Sequence, residues 1–146
     1  MERRICKPLG FAGPFGREDI PDITPRLVLV TPNIAGEVDL PLLKMLAERG
    51  PVALDVQGFV RVRDNGHLVF REWLEMEEGL SYVVYLKVDR AEAKLLTGET
   101  DLRLAARQLA RFGPREILIT HSSGVTVFAD GYLYETSWPV PVTTRS

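Results

Sequence analysis

The chain carries one cysteine, Cys6, in 146 residues. An intrachain disulfide is therefore excluded, and a reducing compartment, the cytoplasm, is the expectation. Cys6 is also a poor candidate nucleophile, because it falls in a terminal segment. Histidine is almost as scarce. His67 and His121 are the only two, too few for an imidazole-rich metal centre. No apolar run approaches the length of a membrane span. The charged start Met1-Glu2-Arg3-Arg4 is not followed by the apolar stretch of a signal peptide. Neither sign of charge dominates: 18 basic and 20 acidic residues are interspersed, with a net charge of −2. That balance leaves no footprint for nucleic acid or for a membrane surface.

What is present fits a globular protein, with 45% apolar and 26% charged residues, enough chain for one core. We expect a single α/β domain over 1–146, with an irregular segment over 1–26 and the core over 27–146. Pro8, Pro14, Pro21 and Pro25 punctuate the irregular part. Residues 27–31, 52–56, 82–88 and 116–120 are short, nearly continuous apolar runs. Continuous apolarity is the mark of strands buried on both faces, as in a parallel sheet. Between them, Asp39 caps an expected helix over 40–49, Asp89 one through Leu96, and Asp101 one through Phe112. Asp64-Asn65-Gly66 signals a tight turn between extended pieces at 59–63 and 67–70. Residues 72–78 read as one or two helical turns. Asp130-Gly131 signals a hairpin joining 125–129 to 132–136. The order is repeated β-α-β closing on a hairpin, which predicts a mostly parallel sheet with an antiparallel edge.

In such a sheet ligands gather at the carboxyl ends of the strands. Four groups fall there. Asp89 and Glu92 sit at i and i+3 on the opening turn of a helix. That spacing suits either a hydrated magnesium ion beside phosphates or a helix cap with a first-turn acid. Thr120-His121-Ser122-Ser123-Gly124-Val125 puts small, hydroxyl-bearing residues and Gly at a strand end. Backbone N–H groups there can meet phosphate oxygens, or the segment is a plain hairpin turn. Asp55-Val56-Gln57-Gly58-Phe59-Val60-Arg61 offers an acid, an amide and an Arg. Those groups can hold polyol hydroxyls or a phosphate, or serve a turn. Thr31-Pro32-Asn33-Ile34-Ala35-Gly36-Glu37 reads as a turn before a helix.

Taken in order, these segments resemble the ribokinase-like (PfkB-type) carbohydrate kinases, and within them the inositol-kinase-like branch. The family's Asn-x-x-Glu motif appears as Asp89-Arg90-Ala91-Glu92, followed by Ala93 and a helix-ending Gly98. Asp89 stands where the family has Asn. Its Thr-Leu-Gly-x-x-Gly nucleotide loop is similar to the segment from Thr120 to Gly124, with His121 and Ser122 as departures. The segment from Asp55 to Arg61, with Trp73 beyond, resembles one from less characterised members and inositol kinases. The resemblance covers about 21–142 and implies a three-layer, Rossmann-like α/β sandwich of which this chain is the C-terminal, nucleotide-binding part.

The resemblance implies ATP-dependent phosphotransfer to a small sugar or polyol. It implies that Asp89, Glu92, Thr120, Ser122 and Gly124 contact the nucleotide. Glu92 would help hold Mg2+, and Asp55, Gln57 and Arg61 would bind the acceptor. The family's Gly-x-Gly-Asp segment, which bears its catalytic base, is not found in the sequence. The expectation is thus a truncated kinase, inactive alone, with no catalytic residue of its own. The alternative is a non-catalytic nucleotide-binding or oligomeric module. Missing neighbours would leave sheet surface exposed and favour a homo-oligomer.

Overall fold

The computed structural model describes residues 7–139. Six strands form one sheet: β1 (Val28–Val30), β2 (Val52–Asp55), β5 (Tyr85–Asp89), β6 (Glu116–His121), β7 (Gly124–Ala129) and β8 (Tyr132–Ser137). They lie side by side in that order. The first four are parallel, and β6, β7 and β8 are antiparallel. β3 (Arg61–Asp64) and β4 (His67–Phe70) pair separately as a small hairpin. The mostly parallel sheet with its antiparallel C-terminal hairpin is the arrangement the apolar runs predict. Residues 7–27 are irregular apart from a 3-10 turn at Arg17–Asp19.

The helices start where carboxylates can satisfy free N–H groups. In α1 (Leu40–Arg49), Asp39 accepts from the Leu42 N–H at 2.8 Å, and Leu42, Leu43 and Leu46 are buried. In α5 (Leu102–Ala110), Asp101 accepts from the N–H groups of Arg103 and Leu104. Its buried face, Leu102, Ala105, Ala106 and Leu109, lies at helical spacing. In α4 (Arg90–Thr97), Asp89 is the cap and Gly98 ends the helix with φ 76°, a left-handed conformation that glycine adopts without a Cβ clash.

Two stretches differ from expectation. Residues 57–60, read partly as extended, form a single helical turn, α2 (Gln57–Val60). Phe59 is buried there and packs on Trp73 with ring centroids 4.4 Å apart. Tertiary burial of the aromatic overrides its strand preference. The helical turn expected over 72–78 lies later, as α3 (Met76–Ser81). Gly79 fixes that position: a Cβ there would collide with the Trp73 ring. Because α3 runs to Ser81, β5 starts at Tyr85 rather than Tyr82.

The strand registers sort the sheet into two faces. Val30, Leu54, Leu86, Ile117, Phe128 and Leu133 share one face, and the helices pack against it in one apolar cluster. The row displaced by one residue, Leu29, Ala53, Tyr85, Glu116, Ala129 and Tyr132, lies on the other face. Leu29 is 70% exposed, Tyr132 69% and the neighbouring Tyr134 57%. Among the described residues no helix covers this face, so the second outer layer of a three-layer sandwich is not formed by them.

Candidate functional site

Parallel register aligns the ends of β2, β5 and β6. Asp55 lies beside Lys87, and Asp89 beside Thr120. The Val56 N–H donates to the Lys87 carbonyl at 3.2 Å, continuing the alignment past β2. Asp55, Asp89, Glu92 and Thr120 therefore share one rim, as convergent strand ends require.

Asp89 and Glu92 cap each other. The Asp89 carboxylate accepts from the Glu92 N–H at 2.8 Å, and the Glu92 carboxylate accepts from the Asp89 N–H at 2.7 Å. This reciprocal arrangement uses one oxygen of each acid to close the helix start. Glu92 is only 1% exposed. Burial pushes its carboxyl above the usual range, against the lowering pull of the Asp89 N–H, with Asp89 and Asp55 raising it further and Lys87 lowering it. A buried, reluctant carboxylate at a strand end is a group that a nearby cation would ionise.

Lys87 supplies one cation at this rim. Its Nζ lies 2.9 Å from Asp55 Oδ2, with both side chains about one-third exposed or less. The other Asp55 oxygen accepts from the Gln57 N–H at 3.2 Å. Gln57 in turn donates through Nε2 to Asn33 Oδ1 at 3.3 Å, and the Asn33 N–H donates to Glu37 Oε2 at 2.7 Å. A polar chain thus runs from Lys87 through Asp55 and Gln57 to the turn after β1. A trough of about 430 Å³ on the uncovered face is lined by Asp55, Lys87, Tyr85, Leu118 and Thr31. A second groove, about 820 Å³, lies beside β1 and is lined in part by Thr31, Asn33, Glu37 and Phe15.

Arg61 is not drawn to Asp55. It opens β3, its guanidinium carbon lies 6.0 Å from the Phe70 ring centroid, and its carbonyl accepts from the Ala35 N–H. The segment from Thr120 to Gly124 is a tight hairpin in which His121 pairs with Gly124 across Ser122 and Ser123. Gly124 has a packing reason: a Cβ there would collide with the Thr136 carbonyl and come within 2.8 Å of Ser137 Cα. Trp138 closes the turn, donating from Nε1 to the His121 carbonyl at 3.2 Å and from its N–H to the Ser123 carbonyl at 3.1 Å. Ser122 stands exposed at the tip. Cys6 lies outside the described residues.

Sequence reasoning passed over Lys87, although a lysine inside an otherwise apolar strand was the available signal. It read residues 31–37 as a turn before a helix capped by Asp39, and Asp39 is that cap; the contacts that Asn33 and Glu37 make within the turn were not anticipated. Among the described residues no three His, Cys, Asp or Glu side chains cluster as a metal cage, and no helix is long and apolar enough to cross a membrane.

No family model and no curated protein matches this chain. Solved structures do. A pyrophosphate-dependent kinase in the ribokinase family, in its sulfate complex, matches with a TM-score of 0.88 and 40% identity, over 94% of this chain and 49% of that one. A pyrophosphate-dependent kinase in the ribokinase family complexed with a pyrophosphate analog and myo-inositol matches with a TM-score of 0.87 and 40% identity, over 93% and 50%. The ribokinase of Arabidopsis thaliana complexed with ribose and ATP shares the fold at 21% identity and a TM-score of 0.57, over 76% and 34%. The chain spans about half the length of the two pyrophosphate-dependent kinase structures. With its sheet order, its strand-end rim and this level of identity together, the chain belongs to the ribokinase-like (PfkB-type) family.

Proposed function

We propose that this chain forms the phosphoryl-donor side of a small-polyol kinase. One observation carries the reading. Lys87, held by Asp55, lies near the end of β5, and the buried Glu92 sits in the first turn of α4, which follows that strand. A cation fixed beside a carboxylate of raised proton affinity suits the phosphates and magnesium of a phosphoanhydride. In the transfer, the acceptor hydroxyl oxygen bonds to the terminal phosphorus. The bridging P–O bond breaks and the shortened phosphate leaves. No residue of this chain is assigned as the base that takes the hydroxyl proton.

Lys87 would bind a donor phosphate oxygen, and Thr120 and Ser122 would approach from the neighbouring strand and turn. Magnesium, when bound, neutralises charge on the donor. Glu92 is the one carboxylate of this chain that would help hold it. Pyrophosphate is the preferred donor, because two structures 40% identical to this chain are pyrophosphate-dependent kinases. ATP, the donor the motifs imply, is the comparison. The acceptor side would draw on Asp55 and Gln57, with Arg61 on the adjoining hairpin. We place this chemistry in the cytoplasm.

A second reading, an oligomeric module without turnover, is favoured by the uncovered apolar face with Leu29, Tyr132 and Tyr134. Calorimetry with magnesium pyrophosphate and with magnesium ATP tests the first. Binding that falls about 10-fold or more in Lys87→Met supports it. Absence of binding by both donors, or binding indifferent to Lys87→Met, overturns it. ATP binding without pyrophosphate binding would return the donor to ATP.

A further inference from the structure

The strand registers put Lys87 on the uncovered face of the sheet rather than at its edge. Asp55 lies beside Lys87, Lys87 beside Leu118, Leu118 beside Val127 and Val127 beside Tyr134. This row stands two residues beyond the one that holds Tyr85 and Tyr132, so its side chains share that side. The two halves of the face differ. Over β1, β2 and β5 lies the trough of about 430 Å³, with the Lys87–Asp55 ion pair in its lining. Over β6, β7 and β8 stand Leu118, Val127 and Tyr134, with Tyr132 one row back. Leu118, Tyr132 and Tyr134 are exposed. One half is thus hollow and holds a neutral ion pair, and the other is apolar and carries bulky side chains.

We infer that a second copy of this chain seats on this face, and that the seated copy and the phosphoryl donor exclude each other at Lys87. Unlike halves side by side are self-complementary under a two-fold rotation. An axis along the strands, between β5 and β6, exchanges them, so each copy lays its apolar half on the other's trough as in an aligned pair of sheets. The six strands, about 4.8 Å apart and about 17 Å long, offer a patch about 29 Å wide. Two such patches bury about 1,000 Å², the lower bound for a specific contact, so the dimer is weak and follows concentration. Lys87 and Asp55 enter the contact already paired at 2.9 Å, which limits the cost of drying them. The same covering fills the trough through which phosphate oxygens would reach Lys87. This rests on the kinase reading and adds regulation to it: the dimer is the form closed to the donor.

The test pairs sedimentation velocity with calorimetry on the full chain. The chain is expected to dimerise as its concentration rises. Magnesium pyrophosphate at about ten times its Kd should weaken the dimer about 100-fold, because both copies must separate to bind it. Magnesium chloride with sodium chloride at the same ionic strength should not, which sets screening aside. Exclusion is reciprocal. At a chain concentration about 100 times the dimer constant, the apparent affinity for magnesium pyrophosphate should be about 10-fold lower than in dilute solution. Tyr134→Glu, at an exposed position away from the trough, should keep the chain monomeric and make that affinity independent of chain concentration. Tyr132→Glu, one row back on the same strand, should do the same. The inference is overturned if the chain stays monomeric throughout, if both Glu variants dimerise like the parent, or if the dimer binds pyrophosphate as tightly as the monomer does. Absence of pyrophosphate binding by the monomeric Tyr134→Glu chain would sink the donor reading and this inference with it. Pyrophosphate bound by that monomer but without effect on the parent dimer would sink this inference alone.

Discussion

Replacing Glu92 in two ways separates its service to the fold from its service to a ligand. Glu92→Ala removes the acceptor of the Asp89 N–H and empties a site that is 1% exposed. Loss of a charged hydrogen bond at a helix start, with that N–H left unpaired, amounts to about 2–3 kcal/mol. For a chain of this size that is a fall of about 5–10 °C in Tm. Glu92→Gln keeps an oxygen facing the Asp89 N–H and removes the buried charge. At pH 7 it should lie within about 0.5 kcal/mol of the parent, or be more stable. The pH dependence has a definite sign. A carboxyl raised by burial contributes stability that is whole below its ordinary value of 4.5 and is lost as pH rises through the higher folded value. Circular dichroism melts from acid to neutral pH should therefore show the Gln variant gaining on the parent. Calorimetry with magnesium pyrophosphate should show it binding about 10-fold more weakly, as when one contact of a metal site is removed. If Glu92→Gln melts as low as Glu92→Ala, or loses ground as pH rises, the burial argument is wrong. If donor binding is unaffected, Glu92 serves the helix alone.

Two further outcomes follow from packing. Gly124→Ala should lower stability by about 3 kcal/mol, because the added carbon meets backbone rather than a yielding side chain. Its urea midpoint should fall, and hydrogen exchange should speed first in β8; a wild-type midpoint would refute the close approach. The parent should self-associate as concentration rises, through the face bearing Tyr134, and Tyr134→Glu should reduce that association in sedimentation runs. A parent monomeric at every concentration would remove the oligomer reading.

Much of the sheet was legible because continuous apolar runs have few alternatives when Asp caps and Gly-Pro stops bracket them. Asp39, Asp89 and Asp101 each begin a helix as their positions require. The stretch from Gln57 to Ser81 was read less well. There the decisive contact, Phe59 on Trp73 with Gly79 beneath the ring, joins residues about twenty apart. No local period records such a contact, and burial decided the structure against strand preference.

The rim shows the same division between what is local and what is not. Asp89 and Glu92 were readable as a pair because both sit on one turn, and the structure adds that they cap each other. Lys87 and Asp55 meet only through strand register, 32 positions apart in the chain. Asn33 and Gln57 meet only because Pro32 can lie against a residue without a side chain, Gly58. Gly124 shows the opposite hazard. Its motif position suggested a phosphate loop, yet the crowding of β8 alone is enough to require glycine. A glycine in a motif thus carries functional weight only after its packing has been accounted for. By that criterion the proposed chemistry of the rim would rest on Lys87, Asp55 and Glu92, and the hairpin would add only Thr120 on β6 and Ser122 at its tip.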